Sequence, residues 1–236
     1  ADFAALVRAL PGRGFAGVNV TVPHKLAALA LADSASAAAR QIGAANTLSF
    51  GDNGSIAAEN TDAHGIVASL PSPPGGTRAL VLGAGGSARA AVWALREAGA
   101  DVSVWNRTAE RGAALAAEFG VAHAPAPDSD FDLIVNATTV GLEQANRTPS
   151  GAGFRTGIGH AGLKALPFDA DSVLAKVVLD LVYGNSETQL VSAARAAGAS
   201  VVDGLEVLVH QGAESLRIWT GLEPPLDAMR TAARSS

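Results

Sequence analysis

Apolar and polar positions alternate on two different periods along the chain, and the change of regime divides it. From Ala79 onward, short uninterrupted apolar runs are separated by segments of helical spacing. Ala79-Leu80-Val81-Leu82 predicts a strand, Gly83-Ala84-Gly85-Gly86 a turn, Ser87 to Ala98 a helix ended by Gly99, and Val102 to Trp105 a second strand. A helix from about Glu110 to Phe119 stops at Gly120, and the run Leu133-Ile134-Val135 leads into Asn136. Val177 to Leu181 predicts a further buried strand, Thr188 to Ala197 a helix and Ser200-Val201-Val202 a last strand. Leu205 to Trp219 reads as a helix with Leu205, Leu208, Val209, Leu216 and Trp219 on one buried stripe. Continuous apolar strands separated by helices are what a parallel sheet covered on both faces requires.

Before residue 71 the elements are shorter and mixed. A helix around Asp2 to Leu10 precedes the alternating run Val18-Asn19-Val20-Thr21-Val22, a strand closed by Pro23. The Ala-rich stretch from about Leu26 to Ile42 has helical propensity, and Thr47 to Phe50, Gly51-Asp52-Asn53-Gly54 and Ser55 to Glu59 form a hairpin pattern. Between the two regimes stands Pro71-Ser72-Pro73-Pro74-Gly75-Gly76, where prolines bar helix continuation and glycines permit reorientation. The expected fold class is α/β, a Rossmann-type nucleotide domain over 71–204 plus a smaller α/β domain over 1–70. The C-terminal helices of 205–236 return to the smaller domain, and a cleft lies between the two. The Gly-rich, poorly periodic stretch from Glu143 to Asp171 is expected to be a long mobile surface loop without chemistry.

Composition narrows the function classes. With 236 residues, 48% hydrophobic and 17% charged, the chain can build a core and carries too little charge for disorder. No apolar stretch approaches the roughly 20 residues needed to cross a bilayer, and the first residues lack the basic-then-apolar pattern of a secretory leader. Zero cysteines exclude disulfides, thiolate nucleophiles and cysteine-ligated metal. Seventeen basic against 22 acidic side chains give a net charge of −5, which offers no general attraction to nucleic acid. Trp93, Trp105 and Trp219 read as packing residues, since no basic groove accompanies them. The histidines, His24 and His64 among them, lack any ligand spacing, so no metal site is expected. A small-molecule ligand, a cytoplasmic location and a monomer or homodimer are the expectations.

One motif carries specific chemistry. Gly83-x-Gly85-x-x-Ala88 follows a predicted strand and opens a predicted helix, the context in which such a turn cradles a dinucleotide pyrophosphate on the helix N-terminus. The cradle comprises Gly83, Ala84, Gly85, Gly86, Ser87 and Ala88. At the end of the next strand, where NAD-selective proteins carry an acidic residue, the chain has Asn106-Arg107-Thr108 with Arg111 one turn beyond. Guanidinium groups suit a ribose 2′-phosphate, so the expected cofactor is NADP(H).

Asn19-Val20-Thr21-Val22-Pro23-His24-Lys25, Gly43-Ala44-Ala45-Asn46-Thr47 and Glu59-Asn60-Thr61-Asp62-Ala63-His64-Gly65 are polar clusters set beside small residues. Together with Gly83 to Ala88, Asn106-Arg107-Thr108, Asn136-Ala137-Thr138-Thr139-Val140-Gly141, Asp180-Leu181-Val182-Tyr183 and Gln211, they resemble the shikimate dehydrogenase family in order and over nearly the whole chain. The resemblance implies reversible NADP-dependent interconversion of 3-dehydroshikimate and shikimate, a step of aromatic amino-acid biosynthesis. It implies Lys25 and Asp62 as the catalytic pair, with Asn19, Thr21, Asn46, Asn60, Tyr183 and Gln211 on the substrate. Asn136, Ala137, Thr138, Thr139 and Gly204 would border the cofactor. The chemistry agrees, since alcohol oxidation needs a group to take the hydroxyl proton as hydride leaves. Two departures stand out. The family's opening strand and paired serines, which hold the substrate carboxylate, have no counterpart ahead of Ala1, and Asn185 replaces the usual proline two residues after Tyr183. The alternatives are a quinate-preferring relative of relaxed specificity and an NADP-binding module without turnover.

Overall fold

The computed structural model describes residues 2–127, 130–142, 162–168, 175–184 and 186–235. Helix α1 (Phe3–Arg8) is capped by the Asp2 carboxylate and leads to β1 (Gly17–Asn19), α2 (Lys25–Leu31), β2 (Ser34–Ala35) and α3 (Ala37–Ile42). A hairpin of β3 (Thr47–Phe50) and β4 (Ile56–Glu59) follows, then α4 (Asp62–Ser69). The strands form a four-stranded sheet in the order β1-β3-β4-β2, antiparallel except for the β2–β4 pair.

The second half runs β5 (Arg78–Leu82), α5 (Gly86–Glu97), β6 (Asp101–Trp105), α6 (Ala109–Phe119), β7 (Ala122–His123) and β8 (Leu133–Asn136). It continues through β9 (Val177–Asp180), α7 (Gln189–Ala196) and β10 (Ser200–Asp203) to α8 (Gly204–Thr220) and α9 (Leu226–Arg234). These strands make a six-stranded sheet, parallel throughout, in the order β10-β9-β8-β5-β6-β7. The chain moves outward from β5 in one direction and resumes at β8 in the other. The reversal opens a crevice at the carboxyl ends of β5 and β8, where sheets of this topology bind ligands.

Several elements depart from the pattern reading, each for a local reason. The helix expected from Leu26 to Ile42 is two helices separated by a two-residue strand. The Asp33 carboxylate accepts from the Ile56 amide at 2.8 Å, and the Ser36 hydroxyl caps α3 by accepting from the Ala39 amide, so polar caps override alanine propensity. The first strand ends at Asn19, and Thr21 to Pro23 form a turn through a cis Val22–Pro23 peptide. Helix α4 had no sequence signal, because Gly65 sits at its centre. That glycine lets the helix approach α8, since a Cβ there would lie 3.0 Å from the Gln211 backbone nitrogen and the Val207 carbonyl. Most of the Gly-rich stretch lies outside the described residues, as does Asn185. The end of the stretch is no surface loop, however: Leu163, Leu166 and Phe168 are buried against Leu80, Ile134 and Val178.

The two sheets do not have fully separate cores. Ile42, Ala44, Ala63 and Ile66 belong to the same apolar cluster as Val81, Ala91 and Leu95, and α4 packs between α5 and α8. Arg89 on α5 adds a polar tie, donating to the Ile42 carbonyl while pairing with Glu118. Gly204 starts α8 directly against the chain beyond β9, for a Cβ there would meet the Leu181 carbonyl at 2.9 Å.

At the carboxyl ends of β8 and β9 lies a closed polar knot. Asp180 is fully buried; it accepts from Asn136 Nδ2 at 2.8 Å, the Thr188 hydroxyl at 2.6 Å and the Val182 amide at 3.0 Å. Asn136 in turn accepts from the Thr138 amide and hydroxyl. Burial pushes the Asp180 carboxyl up to about 6 from its ordinary 3.8, against the three donors that favour the charged form. Between those values the folded state holds a proton that the unfolded chain has released, so stability falls as pH rises through the window. The full loss is roughly 3 kcal/mol. Asp180→Asn is expected to remove this fall: urea midpoints at pH 4 and pH 7 should diverge between the two proteins at the higher pH, in favour of the variant. Parallel midpoints at both pH values would contradict the assignment.

Candidate active site

Two helix starts supply the charged pair. Lys25 is the first residue of α2 and Asp62 the first of α4, and the turn before each helix is held by the hairpin. The Ala45 amide donates to the Lys25 carbonyl, and the Asn46 amide to the Glu59 carbonyl. Lys25 Nζ thereby reaches Asp62 Oδ2 at 2.6 Å, with the two residues only 7% and 9% exposed. An ion pair withdrawn this far from water persists only if its remaining donors and acceptors are satisfied. Asp62 Oδ1 accepts from Asn46 Nδ2 at 3.0 Å, and Lys25 Nζ also donates to the Ser87 hydroxyl at 2.9 Å.

Asn46 is the hub. Its Nδ2 also lies 3.0 Å from Gln211 Oε1 on α8, and its Oδ1 accepts from the Thr61 amide at 2.7 Å. Beneath it the hydroxyls of Thr47, Thr61 and Ser215 lie within 2.9–3.2 Å of one another, and Asn19 Nδ2 donates to Ser215 at 2.8 Å. The structure thus brings together Lys25, Asp62, Asn19, Asn46 and Gln211. Thr21 is exposed on the turn before Lys25, and Tyr183 is exposed beyond β9. Asn60, expected among the substrate contacts, is turned to the backbone: its Nδ2 donates to the Ala44 carbonyl and its Oδ1 accepts from the Ala63 amide. Thr47, Thr61 and Ser215 were not singled out from the sequence. Ser215 stands one helical turn after Gln211 on the same face of α8, which is the signal that could have found it. His24 stacks on the Phe3 ring with centroids 4.7 Å apart. His210, next to Gln211, is held below the usual imidazole range by burial.

The glycine turn borders this pair. Gly83 adopts φ +116°, and a Cβ there would lie 2.9 Å from the Ala137 carbonyl, so only glycine fits between β5 and the chain beyond β8. The space around Gly85 is open, and the start of α5 has no side-chain cap, leaving its first N–H groups free for an anion. A Cβ on Gly86 would collide with the Lys25 side chain at 2.9 Å, which places the Lys25–Asp62 pair at the crevice. At the end of β6, Asn106 donates to the Thr108 carbonyl and shapes the turn, while Arg107, Thr108 and Arg111 are exposed. Among the described residues neither arginine forms an ion pair. These features fit a phosphorylated dinucleotide: open backbone donors for the pyrophosphate and free guanidinium groups for a further phosphate. Asn136 is buried in the Asp180 knot, where it shapes the loop of Ala137, Thr138 and Thr139.

Three family models match along the chain: "Shikimate dehydrogenase substrate binding domain" at residues 1–48, "Shikimate / quinate 5-dehydrogenase" at 71–140 and "Shikimate 5'-dehydrogenase C-terminal domain" at 204–234. A shikimate dehydrogenase (NADP(+)) of Acidiphilium cryptum is 43% identical over 235 residues, which cover 96% of this chain and 78% of that protein. The crystal structure of a Thermus thermophilus shikimate 5-dehydrogenase, in complex with NADP(H) and shikimate, superposes with a TM-score of 0.82 at 39% identity, covering 99% of this chain and 83% of the other. A quinate dehydrogenase of Corynebacterium glutamicum in complex with NAD gives 0.79 at 32% identity, covering 100% and 83%. With relatives this similar over nearly its whole length, the chain belongs to the shikimate dehydrogenase family.

Proposed function

We propose that the chain catalyses the reversible NADP-dependent oxidation of shikimate to 3-dehydroshikimate, with Lys25 and Asp62 as its catalytic pair. The observation that carries this reading is the 2.6 Å contact between those side chains, buried at the edge of a glycine turn suited to a dinucleotide. The substrate half is taken as residues 1–70 with 205–236, and the NADP half as 71–204. In the oxidation direction Lys25 Nζ takes up the hydroxyl proton of the ring alcohol, and in reduction it returns that proton. Bound NADP+ supplies the hydride acceptor. Asp62 holds the amine in line, while Asn46 and Gln211, with Asn19, Thr21 and Tyr183 nearby, offer neutral donors and acceptors to a polyhydroxylated carboxylate. Gly83 to Ala88 would hold the pyrophosphate, and Arg107, Thr108 and Arg111 the ribose 2′-phosphate. Asn106 and the loop from Asn136 to Thr139 support those contacts, and Gly204 lets α8 start against Asp180 and Leu181 at the border of the same site.

No long apolar helix capable of crossing a membrane exists among the described residues. The reading places the enzyme with the cytoplasmic NADP(H) pool, as a monomer or homodimer. A preference for quinate with NAD is disfavoured by the absence of a carboxylate at Asn106 to Thr108. Assays with shikimate and quinate, each with both cofactors, separate the two, and faster turnover of quinate with NAD+ would reject the choice made here. NADP+ binding by calorimetry with no turnover of either substrate would leave only a binding module.

Lys25→Ala is expected to lower kcat about 10²–10⁴-fold while NADP+ affinity stays within twofold; an unchanged rate removes Lys25 from the chemistry. Arg107→Ala should raise the KM for NADP+ about tenfold or more and leave that for NAD+ unchanged, the difference reporting a lost charge-assisted contact. Equal losses with both cofactors would show that Arg107 does not read the 2′-phosphate.

A further inference from the structure

The Lys25 amine has a second partner in the other half of the molecule. Its Nζ donates to the Ser87 hydroxyl at 2.9 Å as well as to Asp62 at 2.6 Å. Two of the three ammonium protons are therefore directed by fixed acceptors on α4 and α5, and the third is left to point at a substrate oxygen. Ser87 belongs to the first turn of α5, two residues past the position from which a side chain caps a helix. The N-cap is Gly85, no side chain caps the start, and the Ser87 oxygen is turned toward Lys25. The neighbouring Gly86 is buried against the Lys25 side chain, with room for nothing larger. The lysine stem is thus seated on the turn of α5 while its head is held by the following residue.

We infer that Ser87 is a positioning residue for proton transfer: it fixes the third direction of the Lys25 amine and ties that direction to the turn that seats the cofactor phosphates. The inference rests on the reading of Lys25 as the proton-transfer group. With Asp62 as its one side-chain acceptor the amine would still librate about the Cε–Nζ bond, within the shallow well that a single hydrogen bond sets. A second acceptor from a different helix narrows that motion, and it does so only when the α5 turn is in place beside α2. Positioning of this kind acts on the reacting geometry and leaves ground-state binding of either ligand nearly untouched.

The test compares Ser87→Ala and Ser87→Thr with the parent enzyme in shikimate oxidation. In Ser87→Ala, kcat should fall about three- to tenfold, the range set by one lost hydrogen bond. The KM values for shikimate and NADP+ should stay within twofold, and the solvent deuterium isotope effect on kcat should rise as proton transfer slows. Threonine keeps the hydroxyl and should restore both kcat and the isotope effect. An unchanged kcat and isotope effect in Ser87→Ala, while Lys25→Ala abolishes turnover, would overturn the role of Ser87 and leave that of Lys25 standing. A rise in the NADP+ KM of fivefold or more with kcat preserved would make Ser87 a phosphate contact, overturning the positioning role. A turnover rate unchanged by Lys25→Ala would overturn the reading beneath it.

Discussion

A lysine and a carboxylate held 2.6 Å apart and withdrawn from water set the requirements that the rest of the substrate half meets. Taking such ions out of solvent costs several kcal/mol per ion, and Coulomb attraction offsets this only when every remaining lone pair and proton finds a partner. Each partner here comes from a different element, Asn46 from the turn before β3 and Ser87 from α5, and Asn46 is itself bonded to Gln211 of α8. That explains why the chain returns to the first sheet after completing the second. Without α8, Asn46 would lose the Gln211 oxygen, and the hydroxyls of Thr47 and Thr61 would lose Ser215. The buried polar layer is one connected network, and a network of this kind is strong when fully satisfied and costly when partly so.

A second constraint comes from the apolar side. Because Ile42, Ala63 and Ile66 pack into the same cluster as the helices over the parallel sheet, the walls of the crevice share a floor. Close-packed cores shift between discrete arrangements more readily than they deform smoothly. Helix α4 is the piece common to both sides of that shared cluster. The Asp180–Asn136 knot has the same character on the far wall. It bonds the ends of β8 and β9 together and anchors both the Thr138 loop and Val182, next to Tyr183.

The parallel sheet was legible because its strands are buried on both faces and read as uninterrupted apolar runs, and the strand-turn-helix at Gly83 could be placed from its glycines. The substrate half was less legible, since its elements are too short to impose a period. Helix α4 is eight residues with a central glycine, and its stability comes from contact with α8, which no local pattern encodes. Lys25, Asp62, Asn46 and Gln211 stood out through the family resemblance, the first three within polar clusters. Asn60 stood out equally and is bonded to backbone, because a buried loop must satisfy its own carbonyls and amides first. Ser87 was visible only as part of a phosphate turn; its contact with Lys25 spans 62 residues and depends on the packing of two helices. Thr47 was passed over for the same reason, since a hydroxyl carries no sign of what it will face, and Ser215 was marked only by its spacing from Gln211.

The acidic balance of the chain raises a final electrostatic question, because a protein of net charge −5 must receive a cofactor carrying several phosphates. The distribution of charge along the parallel sheet resolves it. Asp101 and Asp132 stand at the amino ends of β6 and β8, and Asp132 is held low by Lys176 and by the Arg78 amide. Glu118 on α6 is neutralised by Arg89. At the carboxyl ends lie Arg107, Arg111 and the uncapped start of α5, while Asp180, the one carboxylate at the tips of β8 and β9, is buried and pushed toward its neutral form. Fields from exposed charges fade over about 10 Å in physiological salt, so the phosphates respond to this local end of the sheet and hardly at all to the net charge. The parallel arrangement of the strands thus builds the crevice and gathers Arg107, Arg111 and the uncapped start of α5 at the end where it opens.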